Sequence, residues 1–480
     1  MFAASLLSSA LSFNSSAAGS QTKTPIKHIV IIMMENHSFD NIFGMYGRMG
    51  NGSIASNVTL PAGLVTGSVN SALTQVPAGN FTAANPVEGL SNYHVDWNNG
   101  SMNNFVNGSG PNSMVYYSSS QLALEWDLAQ NYALADFYFS SVLSETLPNR
   151  LYSLAGFSPV TWDVHLPPPY VLYNQTIFGE MDAHGVTWSY YLQNPSVSNE
   201  PLNFIYGISG HSSNLRSWSD FESSLNTGTL PSVSWISPIS GGASGYSQHP
   251  PDNVLAGQLW MFYLVHMIMQ SASWNSTAIF ITYDEGGGYY DNVSPPSLAG
   301  DQFGFRVPLI VISPYAKEDY VSNTVMSHAS ILAFIDYNWQ MPALNELVSF
   351  SNLPLDMFDF TTPYPGGQIA RQPLQLSSSL SGMLSPTLNG TLQYADNFSN
   401  ISRLFPMPFQ YSPTALPYNR SGEGNINLSQ LGGQVLVTND ISYFPPLATS
   451  PSYFNFEILG GVGVTAVAMA TFVLVRKRKK

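Results

Sequence analysis

Apolar residues fall into two alternating rhythms along this chain. Four short runs, HIVIIMM (28–34), SVSWISP (232–238), TAIFITY (277–283) and VPLIVIS (307–313), are almost continuously apolar and rich in β-branched residues. Runs that do not alternate inside with outside predict strands covered on both faces, as in a mainly parallel sheet. Longer stretches lie among them: SSSQLALEWDLAQNYALADFYF (118–139), NRLYSLAG (149–156), DNVLAGQLWMFYLVHMIMQSA (252–272) and SHASILAFIDYNW (327–339). These predict helices, and the alternation predicts an α/β fold, a mainly parallel sheet flanked by helices through crossover connections.

Beyond Leu353 the rhythm stops. Ser, Pro, Gly and Asn dominate without helical period, which predicts an accessory or stalk segment over 354–455. The uncharged stretch ILGGVGVTAVAMATFVLV (458–475) then has the length of a membrane-spanning helix, within an expected span of 456–475. RKRKK (476–480) follows it, which orients the tail inside the cell and the preceding body outside. At the other end FAASLLSSALSF and the small residues after it predict a leader over 1–23, leaving 24–353 as a catalytic domain.

Composition sharpens this picture. Only 9% of residues are charged, far below the roughly 25% usual in soluble domains. The net charge of −14, from 29 acids against 15 bases, argues against nucleic acid as a partner. Zero cysteines exclude disulfides, thiol catalysis and Cys-ligated metals. Roughly fifteen Asn-x-Ser/Thr sequons, Asn57, Asn80, Asn174, Asn389 and Asn427 among them, suit a glycosylated external surface.

Candidate chemistry sits where strands end, because ligands of open α/β sheets bind beyond the carboxyl ends of strands. The first run leads into Glu35 and Asn36, and TAIFITY leads into Asp284 and Glu285, followed by three glycines. Carboxylates brought together there repel one another, and a divalent metal cation would relieve that repulsion. Each acid alone could equally cap a turn. In SETLPNRLYSLAG (144–156), Pro148 and Thr146 mark a helix N-terminus, where a hydroxyl can cap the helix or attack a phosphate held by free N–H groups. His94, His249 and His328 lie in or beside loops, whereas His37 and His184 read as structural.

Together these segments resemble the phosphoesterase family of bacterial phospholipases C and acid phosphatases, whose core is alkaline-phosphatase-like. IKHIVIIMMENHSFDNIFG, FSSVLSETLPNRLYSLAG, QHPPDN, WNSTAIFITYDEGGGYYDNVSPP, GFRVPLIVISPYAK and SHASILAFID carry the resemblance in order over 25–338. It implies a metal held by Glu35, Asn36, Asp284 and Glu285, with Thr146 as nucleophile. It also implies that His94, His249 and His328 contact the phosphate or the leaving group. The expected activity is hydrolysis of phosphate esters through a phosphothreonine, on a phospholipid headgroup or a soluble monoester, at the outer face of the cell membrane. A membrane-anchored surface glycoprotein keeping the fold without the activity is the competing expectation. Three positions depart from the family pattern: Ser144-Glu145 replaces Gly-Pro, Asn292 replaces His after Asp291, and Ser327 replaces the Asp before His328. These departures bear on substrate choice.

Overall fold

The computed structural model describes residues 21–44, 46, 75–79, 81, 84–117, 121–238 and 245–361. Eight strands form one central sheet: β1 (His28–Met34), β2 (Ala133–Ala135), β3 (Trp188–Leu192), β4 (Leu215–Ser217), β5 (Val233–Ile236), β6 (Thr277–Tyr283), β7 (Leu309–Ile312) and β8 (Tyr320–Ser322). Their order is β8-β2-β7-β6-β1-β5-β3-β4. The pairs β1–β5, β1–β6, β5–β3, β3–β4 and β8–β2 are parallel, while β7 runs antiparallel to both β6 and β2. The sheet is therefore mixed: mainly parallel, as expected, with one reversed strand. Loss of alternation cannot reveal that reversal, because a buried strand is apolar on both faces in either direction.

Six helices bear on the site: α1 (Phe39–Phe43), α2 (Leu90–Trp97), α3 (Ala123–Asn131), α4 (Thr146–Ala155), α5 (Val254–Gln270) and α6 (His328–Trp339). The single helix expected over 118–139 is a correction. Among its described residues only Ala123–Asn131 is helical, and Ala133–Ala135 pairs with β7 and β8. Ala and Leu favour helices by only tenths of a kcal/mol, a preference that burial between two neighbouring strands overrides. Helix α5 begins as its sequence suggests, with the Asn253 side chain accepting the Ala256 N–H. Helix α4 ends at Gly156 (φ 69), where a Cβ would lie 2.6 Å from the Asn345 amide nitrogen that donates to the Ala155 carbonyl.

The body continues past Leu353. Phe358 is buried, with its ring stacked on Phe334 at 5.5 Å. Among the described residues, no helix is long and apolar enough to cross a membrane. The stretch 458–475, residues 1–20 of the leader and residues 362–455 lie outside them.

One buried cation organises the carboxyl end of the sheet. The fully buried Arg306 guanidinium donates to Asp40 at 3.0 Å, Asp136 at 3.2 Å, Asp291 at 2.9 Å and Asn292 Oδ1 at 2.9 Å. It thereby ties α1, the end of β2 and the loop after β6 together. Burial, and then repulsion from Asp291, push the Asp40 carboxyl well above the usual range, against the pull of Arg306. Replacing Arg306 with Met should cost about 3–5 kcal/mol, because it strands buried carboxylates. Urea unfolding measures this, and an unchanged midpoint would show that the cluster holds nothing together.

Candidate active site

The register of the sheet places the site. Met34 and Tyr283 are opposite each other at the ends of β1 and β6, and the Asp284 N–H donates to the Met34 carbonyl at 3.2 Å. Glu35–Asn36 and Asp284–Glu285 thus emerge side by side from adjacent parallel strands. Asn36 adopts a left-handed backbone (φ 64), which turns the chain sharply after the strand. Gly287 (φ 63) packs so close that a Cβ would lie 2.1 Å from the Asn36 carbonyl oxygen, so only glycine fits between the two turns.

Helix α4 supplies the third side. Its N-cap is Glu145, and Thr146 is its first residue. The turn before it is locked by buried Asn149, whose amide donates to the Val142, Ser144 and Glu145 carbonyls and accepts from the Val142 N–H. The Thr146 hydroxyl is thereby aimed at Asn36 and donates to its Oδ1 at 3.4 Å. One turn further, Arg150 donates from Nη2 to Glu35 Oε1 at 2.7 Å and from Nε to Asp284 Oδ2 at 2.9 Å. The Leu147 N–H, one of the amides expected to be free for a phosphate, is taken by Asp163 Oδ1 at 2.8 Å.

The remaining candidates divide. Glu285 is buried, accepting from the Tyr93 hydroxyl at 3.0 Å and the Gly287 N–H at 2.6 Å. His249 is half-buried, its Nδ1–H donating to the Pro250 carbonyl at 2.8 Å, and its Nε2 facing Glu88 Oε2 at 3.5 Å. Burial disfavours its charge, but Glu88 and Glu35 more than offset that and raise its pKa. His328 is buried with both ring nitrogens engaged: Nε2–H donates to the Asp284 carbonyl at 2.7 Å, and Nδ1 accepts from the Tyr138 hydroxyl at 2.9 Å. Burial lowers its pKa to about 4, so it is a neutral support for the Asp284 backbone. Tyr138 does the orienting that Ser327 cannot. His94 stands apart on the exposed side of α2, its ring meeting Trp97 edge-on at 6.0 Å. The same helix sends its neighbour Tyr93 to Glu285 instead. His37, read as structural, is buried and stacked on Tyr289.

Arg150, Glu88, Tyr93 and Tyr138 went unassigned in the sequence. Arg150 lies inside the motif that carries Thr146, and its spacing of four residues places it on the same helix face. Glu88 lies in a loop without period, where nothing marks it.

The donor chemistry suits a hard cation. One guanidinium faces Glu35 and Asp284, while Glu285 and Glu88 add carboxylates; Asn36 Nδ2 donates to Glu88 at 3.3 Å. Burial raises the Asp284 pKa to about 7 despite Arg150, with Glu35 adding repulsion. Glu285 is pushed well above its usual range by burial, then by Glu88 and Asp284. Buried oxygen ligands with more negative charge than one arginine offsets fit a divalent cation. Among the described residues, no group of three or more His, Cys, Asp or Glu side chains is placed to hold a metal ion as they stand. Arg150 holds the two carboxylates that such an ion would need.

A sequence profile of the Phosphoesterase family matches residues 26–342, more than half of the chain. This chain belongs to the Phosphoesterase family. The phosphoesterase is 27% identical to phospholipase C A of Mycobacterium tuberculosis, across 71% of this chain and 78% of that protein. It is also 27% identical to non-specific phospholipase C1 of Arabidopsis thaliana, across 65% of each. Family and relatives make it a phosphoric ester hydrolase, as the motifs implied. Among solved structures it aligns with the phosphonate monoester hydrolase of Agrobacterium radiobacter at 10% identity and a TM-score of 0.33, covering 71% of this chain and 78% of that one. That likeness is too slight to carry an argument.

Behind the site, buried Glu125 accepts from Gln248 Nε2 at 2.8 Å and from the Tyr283 hydroxyl at 3.2 Å, the residues just before His249 and Asp284. Burial raises its pKa to about 7, with Gln248 and Tyr283 opposing. Folded protein therefore keeps a proton that unfolded chain releases near pH 4.5, and stability falls as pH rises from there to about 7. Glu125→Gln should remove that slope, on the order of 3 kcal/mol across the window. Denaturation at several pH values checks it; identical slopes in both proteins would contradict the assignment.

Proposed function

We propose that this phosphoesterase cleaves phosphodiesters in the manner of a phospholipase C, with Thr146 as nucleophile and Glu35, Asn36, Asp284 and Glu285 as holders of a divalent cation. The observation that carries the reading is the meeting of Thr146 and Asn36, at 3.4 Å, beside two strand-end carboxylates held by one arginine of the same helix. Bound at those residues, a divalent cation would lower the pKa of the threonine hydroxyl and neutralise a phosphate oxygen.

Thr146 Oγ1, having lost its proton to solvent, attacks phosphorus in line, and the bond to the leaving alcohol breaks. His249 is the proton donor to that leaving oxygen, since Glu88 and Glu35 raise its pKa and so favour the charged imidazole. Water then attacks phosphorus, the Oγ1–P bond breaks, and Thr146 recovers its proton. His328 acts by fixing the Asp284 backbone, and His94, being solvent-exposed, is the candidate with least support. The names of the relatives favour a diester such as a phospholipid headgroup over a monoester. The uncharged run before RKRKK supports tethering of the body to the outer membrane face through 456–475.

Thr146→Ala should lower kcat by at least about 10³-fold, as removal of a nucleophile does elsewhere. Hydrolysis of bis- and mono-p-nitrophenyl phosphate, with and without chelator, is the test. Full activity of the variant, or indifference to thorough chelation, would remove Thr146 or the cation from the mechanism. A faster rate on the monoester would move the assignment to an acid phosphatase.

A further inference from the structure

The loop after α4 has two unlike faces. Inward, Val160 and Val171 pack with Phe204 against Leu147, Leu151 and Ala155 of α4, all buried. Outward, Trp162 is 59% exposed, Leu166 76% and Tyr206 64%, and Tyr170 and Leu172 are exposed beside them. The rings of Tyr170 and Tyr206 meet edge to face at 5.7 Å, and Val171–Leu172 pairs as a short parallel ladder with Ile205–Tyr206. Tyr170, Leu172 and Tyr206 are thus held on a framework. Five of the ten large hydrophobics exposed among the described residues lie on this loop or on the short strand paired with it. Isolated exposed apolar residues are ordinary, but a concentrated patch marks an interaction surface.

The Trp162 end of the loop is fixed beside the start of α4. Asp163, next to Trp162, accepts the Leu147 N–H at 2.8 Å, one residue after Thr146. Its own N–H is held by Glu145 Oε2 at 2.6 Å, and the Ser144 hydroxyl donates to the Thr161 carbonyl at 2.6 Å. Whatever covers the patch is therefore delivered against the residues flanking the nucleophile.

We propose that this loop is a lipid-docking surface, seating the enzyme on a zwitterionic phospholipid layer with Trp162, Leu166, Tyr170 and Tyr206 in the headgroup–acyl boundary. Trp and Tyr beside aliphatic side chains is the composition that settles at such a boundary, apolar bodies down and polar tips in the headgroups. Residues 157–172 contain no Lys or Arg, only Asp163 and His165 as titratable side chains other than Tyr. Attraction to anionic lipid, which polybasic segments provide, is absent from the patch, so its binding comes from apolar burial. Docking here rests on the proposed phospholipase reading, because a soluble monoester would need no such surface.

The test uses the full chain, reconstituted into phosphatidylcholine vesicles whose acyl chains are brominated. Emission from Trp162, obtained as the difference between wild type and Trp162→Phe, should be strongly quenched. In parallel, the double variant Leu166→Ser/Tyr206→Ser should hydrolyse a soluble short-chain diester within about twofold of wild type, as surface changes usually allow. On vesicles its rate should fall about tenfold or more, by the apolar area withdrawn from lipid. An unquenched Trp162, equal losses on both substrates, or no loss on vesicles would overturn the proposal. So would a concentration-dependent dimer abolished by the double variant, which would assign the patch to a second copy of the chain. If wild type cleaves neither diester, the phospholipase reading falls, while the quenching still reports whether the loop meets lipid.

Discussion

The site depends on one guanidinium. Arg150 holds Glu35 at 2.7 Å and Asp284 at 2.9 Å, both pairs buried, and so fixes α4 to the ends of two adjacent strands. Without a cation between them those carboxylates would separate or take up protons, and α4 would lose its tie to the ends of the two strands. Breaking a buried pair of this kind leaves an unpaired charge worth several kcal/mol, which makes the link stiff. The same residue also brings the hydroxyl to its place, because Thr146 and Arg150 stand one turn apart on one helix.

A second cation works one layer away. Arg306 gathers Asp40, Asp136 and Asp291, which belong to three different elements following strand ends. The two arginines divide the labour: Arg306 sets the loops, and Arg150 sets the side chains that face the reaction. In a chain with 15 bases, two fully committed to buried carboxylates represent a large structural investment in this end of the sheet. Glu285 accepts from a tyrosine hydroxyl and a backbone amide and, among the described residues, from no arginine.

Much of this was legible in the sequence, for physical reasons. Strands β1 and β6 are continuous apolar runs, and their register alone brings Glu35 and Asp284 together. Pro148 announced the start of α4. Other features left no trace. Ala133–Ala135 has a helical composition, and only its neighbours make it a strand. WSYYL (188–192), now β3, is bounded by Gly185 and Asn194-Pro195 but is short and interrupted by Ser189, unlike the continuous apolar runs. Over the eight residues of α2 the sequence does not fix which face turns inward, so His94 was chosen where Tyr93 makes the contact. Arg150 was hidden within its own motif, because a charge in a helix usually faces water and only the fold brings two carboxylates to it.

The central claim is that Thr146 forms a bond to phosphorus. Acid quenching during turnover of a diester substrate, followed by peptide mass spectrometry, tests it most directly. Phosphate on Thr146 is the predicted result, accumulating when release by water is slowed. Turnover that leaves every copy of Thr146 unmodified, with phosphate on another side chain, would contradict it.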